Sequence, residues 1–314
     1  MMDLASAATA ATLAAAAAAA VAAAAFLYRC WTFERFLQRE EQGVKDAAAP
    51  SSGGPSLAER LHGLPEPLQR FFKRSISDEE CLRCRLWVAR GAGSLRFEPS
   101  GGWKPLAAAT IAAVGPDPAF CYTGTVQLVP GWLLPCRGRE ALLQGRGAME
   151  WRLWGALPLA ASQGGRLDHS ALLRWLAEAV CFPPALLPSR HLTWLPAAEG
   201  EGGGPARGAR AVLRCRGARA VLRCRGVAVQ ALLTFDEQGR FSQLETEDYW
   251  RVLPGSGEVV QAPWRARAVG GHKRFSLPGG GSVEAPTQLE AAWVEPDGSE
   301  FVHIQFGIYS LEAE

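Results

Sequence analysis

Very few side chains in this sequence stand at spacings that support a known chemistry. Cys81 and Cys84 form a C-x-x-C pair, the arrangement that begins many structural zinc sites. Such a site needs further ligands, and no second C-x-x-C or H-x-x-x-H pair supplies them. In CLRCRLWVAR the residues Cys84, Leu86 and Val88 alternate with Arg85, Trp87 and Ala89, which predicts that Cys84, Leu86 and Val88 face inward on a strand, since free cysteine commonly packs as a buried hydrophobe. We therefore expect neither a metal site nor a cofactor.

Acid–base chemistry has its best candidates in the segment LDHSALLRWLAEAVCFPPALLPS. Asp168, His169 and Glu178 would lie on one helix overlooking a sheet, and they are the residues that we would assign to a catalytic acid and base. Glu178 follows Arg174 at i,i+4 spacing, which is more typical of a solvated ion pair on a helix surface. Standard signatures of nucleophilic, zinc-dependent and nucleotide-dependent catalysis are absent from the sequence. The 5 histidines are far apart, so a site assembled by geometry alone stays open.

Aromatic residues suggest the walls of a binding pocket instead. The sequence contains 11 tryptophans, and most of them lie in alternating segments of the kind that form half-buried sheets. The ligand-binding residues that we predict for the concave face of such a sheet are Trp151, Trp175, Phe182, Trp264 and Trp293.

The stretch GARAVLRCRGARAVLRCRG, residues 208–226, repeats nine residues. Each copy alternates apolar residues with arginines, which predicts a strand with one buried and one basic face. Because nine is odd, a straight strand through both copies would turn the second copy's apolar residues to the opposite face. We favour a duplication in which one copy keeps the strand position and the other extends the preceding loop. A hairpin turning at Arg216 and Gly217 is the rival structure. The rival function is contact with anionic lipid through Arg210, Arg214, Arg219 and Arg223.

The elements that would position these residues are mostly strands. Beyond residue 82 the pattern has period two, in segments bounded by glycine, proline or aspartate turns, which predicts a mainly antiparallel sheet. These segments are SLRFEP, AFCYTGTVQLV, AMEWRLW, AVQALLTF, TQLEAAWV and FVHIQFGIY. A short helix, PLQRFFKRSI, begins at Pro67, and a longer helix is capped by Asp168 and ended by Pro183. We expect the longer helix to lie across the concave face of a curved sheet.

The N-terminus has the composition of a membrane segment. Residues 4–28 contain no ionisable side chain other than the final tyrosine, and as a helix they would span about 38 Å, more than the roughly 30 Å hydrocarbon core. Arg29, Arg35, Arg39 and Lys45 follow, so the positive-inside rule predicts a single-pass anchor with the rest of the chain in the cytoplasm. A cleaved signal or organelle-targeting presequence is the alternative, although the basic region that precedes such a signal is missing.

The remaining composition is that of an ordinary folded protein. The formal net charge of the 314 residues is only +2, so we expect no nucleic acid partner. Eight scattered cysteines give no disulfide framework. The segment GVKDAAAPSSGGPS has the glycine, proline and serine content of a flexible linker. We predict an α+β fold with a transmembrane anchor and juxtamembrane helix over residues 1–42, a linker over 43–57 and a single antiparallel-sheet domain over 58–314.

Four segments resemble, in their order, an uncharacterised family of membrane-tethered proteins known only as a domain of unknown function. They are LPEPLQRFFKR, LLRWLAEAVCFPPALLPS, APWRAR and VEAPTQLEAAWVEPDG, which cover residues 64–300. In that family an aromatic residue is usual where Cys181 stands here, and the stretch between Trp194 and Val227 is shorter. The resemblance implies an architecture, similar in shape to bacterial lipoprotein carriers, but no reaction and no ligand.

Two hypotheses follow for function. The first is a membrane-anchored domain, not an enzyme, that holds a lipid, another apolar ligand or a partner protein in the concave face of its sheet. The second is a hydrolase or isomerase with an acid and a base on the helix 168–180. A pocket lined only by tryptophan, leucine and valine would favour the first hypothesis. Glu178 pointing inward beside a histidine would favour the second.

Overall fold

The computed structural model describes residues 4–48, 55–114, 117–129, 131, 134–198, 217–253, 258–278 and 280–314. Its helices are α1 Leu4–Ala47, α2 Leu57–Leu61, α3 Glu66–Ser75 and α4 Arg166–Glu178. Its strands are β1 Leu86–Leu95, β2 Lys104–Ala113, β3 Ala119–Gln127, β4 Pro135–Leu143, β5 Arg146–Leu153, β6 Leu157–Gln163, β7 Leu192–Pro196, β8 Gly217–Cys224, β9 Val227–Phe235, β10 Phe241–Val252, β11 Val259–Ala268, β12 His272–Ser276, β13 Ser282–Pro286, β14 Gln288–Val294 and β15 Glu300–Ala313. Short 3-10 helices span Glu79–Arg83, Ala179–Cys181 and Pro183–Leu186.

The main sheet is antiparallel and curls around α4. It has 13 strands in the order β6-β5-β4-β3-β2-β1-β15-β14-β11-β10-β9-β8-β7, while β12 and β13 form a separate hairpin. A flat sheet of this size would be about 58 Å wide, at about 4.8 Å per strand. The single helix α4, about 10–12 Å across, nevertheless contacts β4, β5 and β6 on one side and β9 and β10 on the other. The sheet is therefore a half-barrel with α4 on its concave face, as the α+β prediction requires.

Helix α4 is enclosed on more sides than an ordinary surface helix. Leu172 and Leu176, on the predicted apolar stripe, are fully buried, and Leu173, Trp175 and Ala177 on other sides of the helix are buried as well. A helix lying inside a curled sheet meets strands on several sides at once. Its remaining polar side therefore faces a cavity within the half-barrel.

The predicted cap of α4 is wrong. The helix begins after Gly165, which has a positive φ of 57°, and Asp168 stands within the first turn. There the Gly147 backbone N–H donates a hydrogen bond to Asp168 Oδ1 at 2.6 Å. Asp168 thus connects the start of the helix to β5, a long-range contact that the local sequence does not indicate.

Helix α1 packs on the convex face of the sheet. Phe33, Leu37 and Val44 are buried, and Val44 lies against outward-facing side chains of β2, β3 and β4. The helix continues to Ala47, so the linker predicted over 43–57 starts too early, because Val44 has an apolar surface to cover. Residues 49–54 of that linker lie outside the described part of the chain.

Helix α1 covers the convex face of β1, so both faces of this strand are buried. Leu86 and Val88 lie on the convex side beneath α1, whereas Trp87 and Ala89 belong to the main core. Cys84 is buried, as predicted, but it precedes the strand instead of forming part of it. Both faces of β1 are covered, so alternation alone assigned the wrong residues to the inner face.

The second copy of the nine-residue repeat is strand β8. Ala218 and Ala220 pair with β7 on one side and with β9 on the other, so no edge is left for the rival hairpin between the two copies. Arg225 and Gly226, with φ of 47° and 87°, form the two-residue turn into β9. The first copy, with Arg210 and Arg214, lies outside the described residues.

Candidate functional site

A cavity in two parts lies between α4 and the concave face of the sheet. The inner chamber has a volume of about 130 Å³. Its walls include Trp87, Leu106, Tyr122, Ala177, Glu178, Cys181, Trp264, Leu289, Phe306 and Ile308. The outer chamber has a volume of about 640 Å³. Its walls include Leu95, Phe97, Val126, Leu128, Cys136, Met149, Trp151, Ala160, Ser162 and Trp250. The chambers adjoin, because both are lined by Arg174, Tyr249, Trp293, His303 and Ile304.

An aromatic cluster separates the two chambers. Trp264 and Trp293 are directly paired across β11 and β14, so both side chains point to the same face of the sheet. The Tyr249 ring lies 4.9 Å from that of Trp264 and 5.3 Å from that of Trp293, measured between centroids. His303 stacks on Trp293 at 5.4 Å. The register of four strands thus builds one aromatic wall.

His303 is unsuited to act as a base. Burial, together with the nearby guanidinium groups of Arg174 and Arg251, lowers its pKa to about 3, so the imidazole is neutral at physiological pH. The Trp264 Nε1–H donates a hydrogen bond to His303 Nε2 at 3.2 Å, which occupies the lone pair of the neutral ring. The residue therefore behaves as part of the aromatic wall.

Arg174 and two carboxylates form the polar part of the cavity. Arg174 pairs with Glu140 at 2.5 Å and with Glu178 at 2.7 Å, and its guanidinium lies 4.3 Å from the centre of the Tyr122 ring. Burial alone would lower the pKa of Arg174, but the two carboxylates raise it well above its ordinary value. Glu178 Oε2 is buried without a hydrogen-bond partner. The predicted i,i+4 pair exists, but it faces the cavity and not bulk solvent.

Three of the five predicted ligand-binding residues line the cavity, and the other two do not. Trp264 and Trp293 line the inner chamber and Trp151 the outer one, where its ring lies over Gly138, a position at which a Cβ would overlap the indole. Trp175 and Phe182 lie in the core outside both chambers, and Phe182 stacks on Trp87. Trp175 lies on a packed side of α4, whereas Phe182 follows the end of that helix, between the 3-10 helices Ala179–Cys181 and Pro183–Leu186.

The three predicted acid–base residues do not come together. Glu178 lines the inner chamber, whereas Asp168 is bound to the Gly147 amide and His169 lines neither chamber. Sequence reasoning assigned no role to Tyr249 or to His303. Alternation marks both as members of a strand face, but only the strand register places that face in the cavity.

Asp117, His191 and Cys224 form a second cluster. A carboxylate oxygen, an imidazole nitrogen and the thiol sulfur of these three residues, all atoms that can bind a metal, lie within 4.8 Å of one another. Arg190 donates to His191 Nε2 at 2.8 Å and pairs with Asp117 at 3.2 Å. The His191 Nδ1–H donates to the backbone carbonyl of Arg223 at 2.7 Å. These contacts form an ion-pair network between the β2–β3 turn and β8, and they help to close the half-barrel.

Solved structures offer only remote similarity. A domain from Vibrio parahaemolyticus, named for outer membrane lipoprotein sorting, matches with a TM-score of 0.38 at 8% identity over 73% of this chain and 86% of its own. A DUF1329 family protein from Desulfovibrio piger matches with a TM-score of 0.33 at 10% identity over 75% and 88%. A β-barrel-like DUF1849 domain from Brucella abortus matches with a TM-score of 0.27 at 8% identity over 74% and 98%.

No curated protein matches the chain. The profile of one family covers most of it, over residues 56–306, which span everything from α2 to the first half of β15. The chain belongs to this family, DUF6544, a family of unknown function.

Proposed function

We propose that the protein is a membrane-anchored domain that holds an apolar or amphiphilic ligand between α4 and its sheet without catalysing a reaction. The observation that carries this proposal is the outer chamber. Its volume of about 640 Å³ falls within the range of about 300–1,000 Å³ typical of small-molecule sites. Its walls are mainly aliphatic and aromatic, which suits an acyl chain or a similar apolar group. A segment of a partner protein is the alternative occupant.

The polar groups of the cavity would bind the head of an amphiphile. The unpartnered Glu178 Oε2 offers a buried acceptor, and satisfying it would remove an unfavourable desolvation. A hydroxyl or ammonium group on the ligand supplies the matching donor. We therefore favour an amphiphile with a hydrogen-bond donor at its head.

In this proposal α1 remains attached as the anchor and residues 58–314 form the ligand-binding domain. Within the described residues one helix, near the N-terminus, is long and apolar enough to cross a membrane. It continues without a break into the part that packs on the sheet, which supports an anchor over a cleaved signal. The arginines after the apolar part favour the cytoplasmic side for the domain.

The test is native mass spectrometry of the full chain released from micelles of a mild detergent, followed by extraction and identification of bound molecules. Two neighbouring exposed alanines on β6 give a matched pair of variants, because Ala160 lines the outer chamber and Ala161 does not. We expect Ala160→Trp to reduce ligand occupancy several-fold and Ala161→Trp to leave it unchanged. Protein that is consistently empty, or equal occupancy in both variants, would contradict the proposal.

A hydrolase or isomerase is the second candidate, because Glu178 and His303 line the same chamber. The neutral His303, with its lone pair engaged, gives this candidate little support. An activity on acyl or glycosyl substrates that Glu178→Gln abolishes, in protein that carries no ligand, would favour the enzyme.

A further inference from the structure

One end of the sheet, here called the apolar rim, carries an unusual set of exposed side chains. It consists of Phe97 in the β1–β2 connection, Val129 in the β3–β4 connection, Trp154 in the β5–β6 turn, and Leu157 and Leu159 at the start of β6. Consecutive antiparallel strands place these connections at the same end of β1–β6. The exposed fractions of the five rim residues run from 38% for Trp154 to 56% for Phe97.

The opposite end of the same six strands has a different character. Within the described part of residues 86–163, every exposed large apolar side chain belongs to the apolar rim. The opposite turns include Asp117 and the Gln144–Gly145 pair. The sequence between β3 and β4, LVPGWLL, contains no ionisable residue. A set of exposed apolar side chains at one end of a domain is typical of an interaction site.

Helix α1 shows which partner the rim faces. Its contacts run from the rim to the opposite end: Phe26 packs edge-on against Trp154 at 6.2 Å, Glu34 pairs with Arg137 at 3.1 Å, and Val44 lies near the far end of β4. The part before Phe26 extends beyond the rim, and its residues 12–25 are exposed. From Leu4 to Ala25 it is about 33 Å long at about 1.5 Å per residue, close to the roughly 30 Å hydrocarbon core.

Aromatic residues on α1 mark the same level. Tyr28 and Trp31, within about one and a half turns after Phe26, are 64% and 58% exposed, and these residue types favour the boundary between lipid and water. The surface of a membrane crossed by α1 would therefore lie at the level of Trp154. The basic face of β8 is a poorer candidate for membrane contact, because β8 ends at the opposite end, where the Arg223 carbonyl contacts His191 and Arg225 pairs with Asp117.

We propose that the apolar rim rests in the interfacial layer of the bilayer that α1 crosses, and that the outer chamber exchanges its ligand directly with this bilayer. Phe97 belongs both to the rim and to the wall of the outer chamber, and Leu128 lines the chamber next to Val129. A lipid could then enter between the β1–β2 and β3–β4 connections without crossing water. The exchange part of this inference rests on the proposed function, while the membrane contact of the rim does not.

The test uses the full chain in sealed vesicles of phosphatidylcholine and phosphatidylglycerol, with a photoreactive benzophenone amino acid at single positions. Val129 is the rim position, since it is 40% exposed and does not line the outer chamber, so a bound ligand does not mimic membrane contact. Leu27, 66% exposed on α1, is the positive control. Tyr309, 65% exposed, is the matched control, about 17 Å along β15 from Ile304 beside the rim.

We expect lipid adducts at positions 27 and 129 and at least tenfold fewer at position 309. Adducts at 27 but not at 129 would overturn the rim contact while leaving the anchor in place. Equal adducts at 129 and 309 would show that the rim has no special membrane contact. Absence of adducts at both 27 and 129 would overturn the anchor and the rim together. Ligand occupancy, measured separately by native mass spectrometry, is independent of all these outcomes.

Discussion

Arg174 is the residue whose surroundings differ most from what its sequence spacing indicates. An i,i+4 partner is ordinary on a helix surface, and such pairs contribute little when solvated. Here the guanidinium lies within the half-barrel between Glu140 and Glu178, with only 16% of its side chain exposed. Removing it would leave two carboxylates without their cation in a poorly solvated place.

We predict that Arg174→Met lowers the free energy of unfolding by about 3–5 kcal/mol, the usual cost of breaking a buried ion pair. Arg70→Met is the control, because Arg70 and Glu66 form an exposed i,i+4 pair whose loss costs about 0–1 kcal/mol. Denaturant unfolding of the full chain in micelles, followed by tryptophan fluorescence, measures both. Equal losses in the two variants would show that the cavity is solvated like the surface.

His303 gives a prediction about pH. Its pKa is about 3 in the folded state, mainly because of burial, against about 6.5 when unfolded. Between these values the unfolded chain binds a proton that the folded chain excludes. The contribution of His303 to the free energy of unfolding is therefore fully present above about pH 6.5. It falls by about 1.4 kcal/mol per pH unit as the pH decreases towards 3.

We expect His303→Phe to remove this part of the pH dependence, since phenylalanine keeps the stack on Trp293 but does not titrate. The variant is less stable at neutral pH, because the Trp264 N–H loses its acceptor. His62→Gln, at an exposed position, is the matched control and should keep the wild-type slope. Melting temperatures between pH 4.5 and 7.5 provide the comparison; parallel curves for wild type and His303→Phe would contradict the burial of a neutral imidazole.

At the level of elements, the nine-residue repeat provides a direct test. The second copy alone supplies β8 and the turn into β9, and both edges of β8 are paired. Deleting residues 209–217 leaves the sequence GARAVLRCRG joined to Val227, so the same strand and turn can form. We predict a change in stability below about 0.6 kcal/mol, the entropy of doubling a loop.

Thermal unfolding of the deletion variant measures this change, and vesicle binding at low and high salt provides a second readout. Leu222→Ala is the control that shows what damage to β8 itself does, because Leu222 is fully buried and its loss should cost about 2–5 kcal/mol. Failure of the deletion variant to fold would mean that the first copy has a structural role. Normal folding with a salt-sensitive loss of vesicle binding would assign the arginines a membrane contact.

The docking of α1 on the convex face is a second prediction at this scale. An aspartate in place of the buried Leu37 removes apolar contact and buries a charge, so the helix should detach. We expect trypsin cleavage after Arg39 or Lys45 to become at least tenfold faster, as about 1.4 kcal/mol of lost docking energy implies. Gln38→Asp, on an exposed neighbour, is the control. Unchanged cleavage in Leu37→Asp would mean that the helix is held by contacts other than its buried face.

At the level of the whole molecule, the anchor and the cavity imply a fixed arrangement relative to a membrane. We predict that protease degrades the folded domain in sealed membranes that expose their cytoplasmic face and spares it in membranes of opposite orientation. The positive-inside asymmetry around Arg29 and Arg35 is the physical reason. Detergent-opened membranes control for intrinsic resistance. Protection on the cytoplasmic face would reverse the orientation, and a soluble product shortened by about 28 residues would show that the helix is a cleaved signal.

The sequence alone determined the elements with strong local signals. The apolar, alanine-rich start predicted a long helix, Pro67 and the spacing of its neighbours predicted α3, and period-two segments predicted an antiparallel sheet with one helix inside it. These features depend on helix propensity and on side-chain alternation, which act over a few residues. Local alternation also predicted that only one copy of the repeat occupies a strand position, since two copies of nine residues, an odd number, cannot form one straight half-buried strand.

Tertiary structure alone decided the inner faces and the site. Trp264, Trp293 and His303 meet because strands β11, β14 and β15 pair in one register, which no local pattern contains. Curling of the sheet placed the polar side of α4 in a cavity, and this reversed the expected surroundings of Arg174 and Glu178. The cover of α1 on the convex face made both sides of β1 apolar and exchanged the roles of Leu86 and Trp87. In each case the deciding interaction joins residues far apart in the chain, where alternation shows that a face is buried but not what covers it.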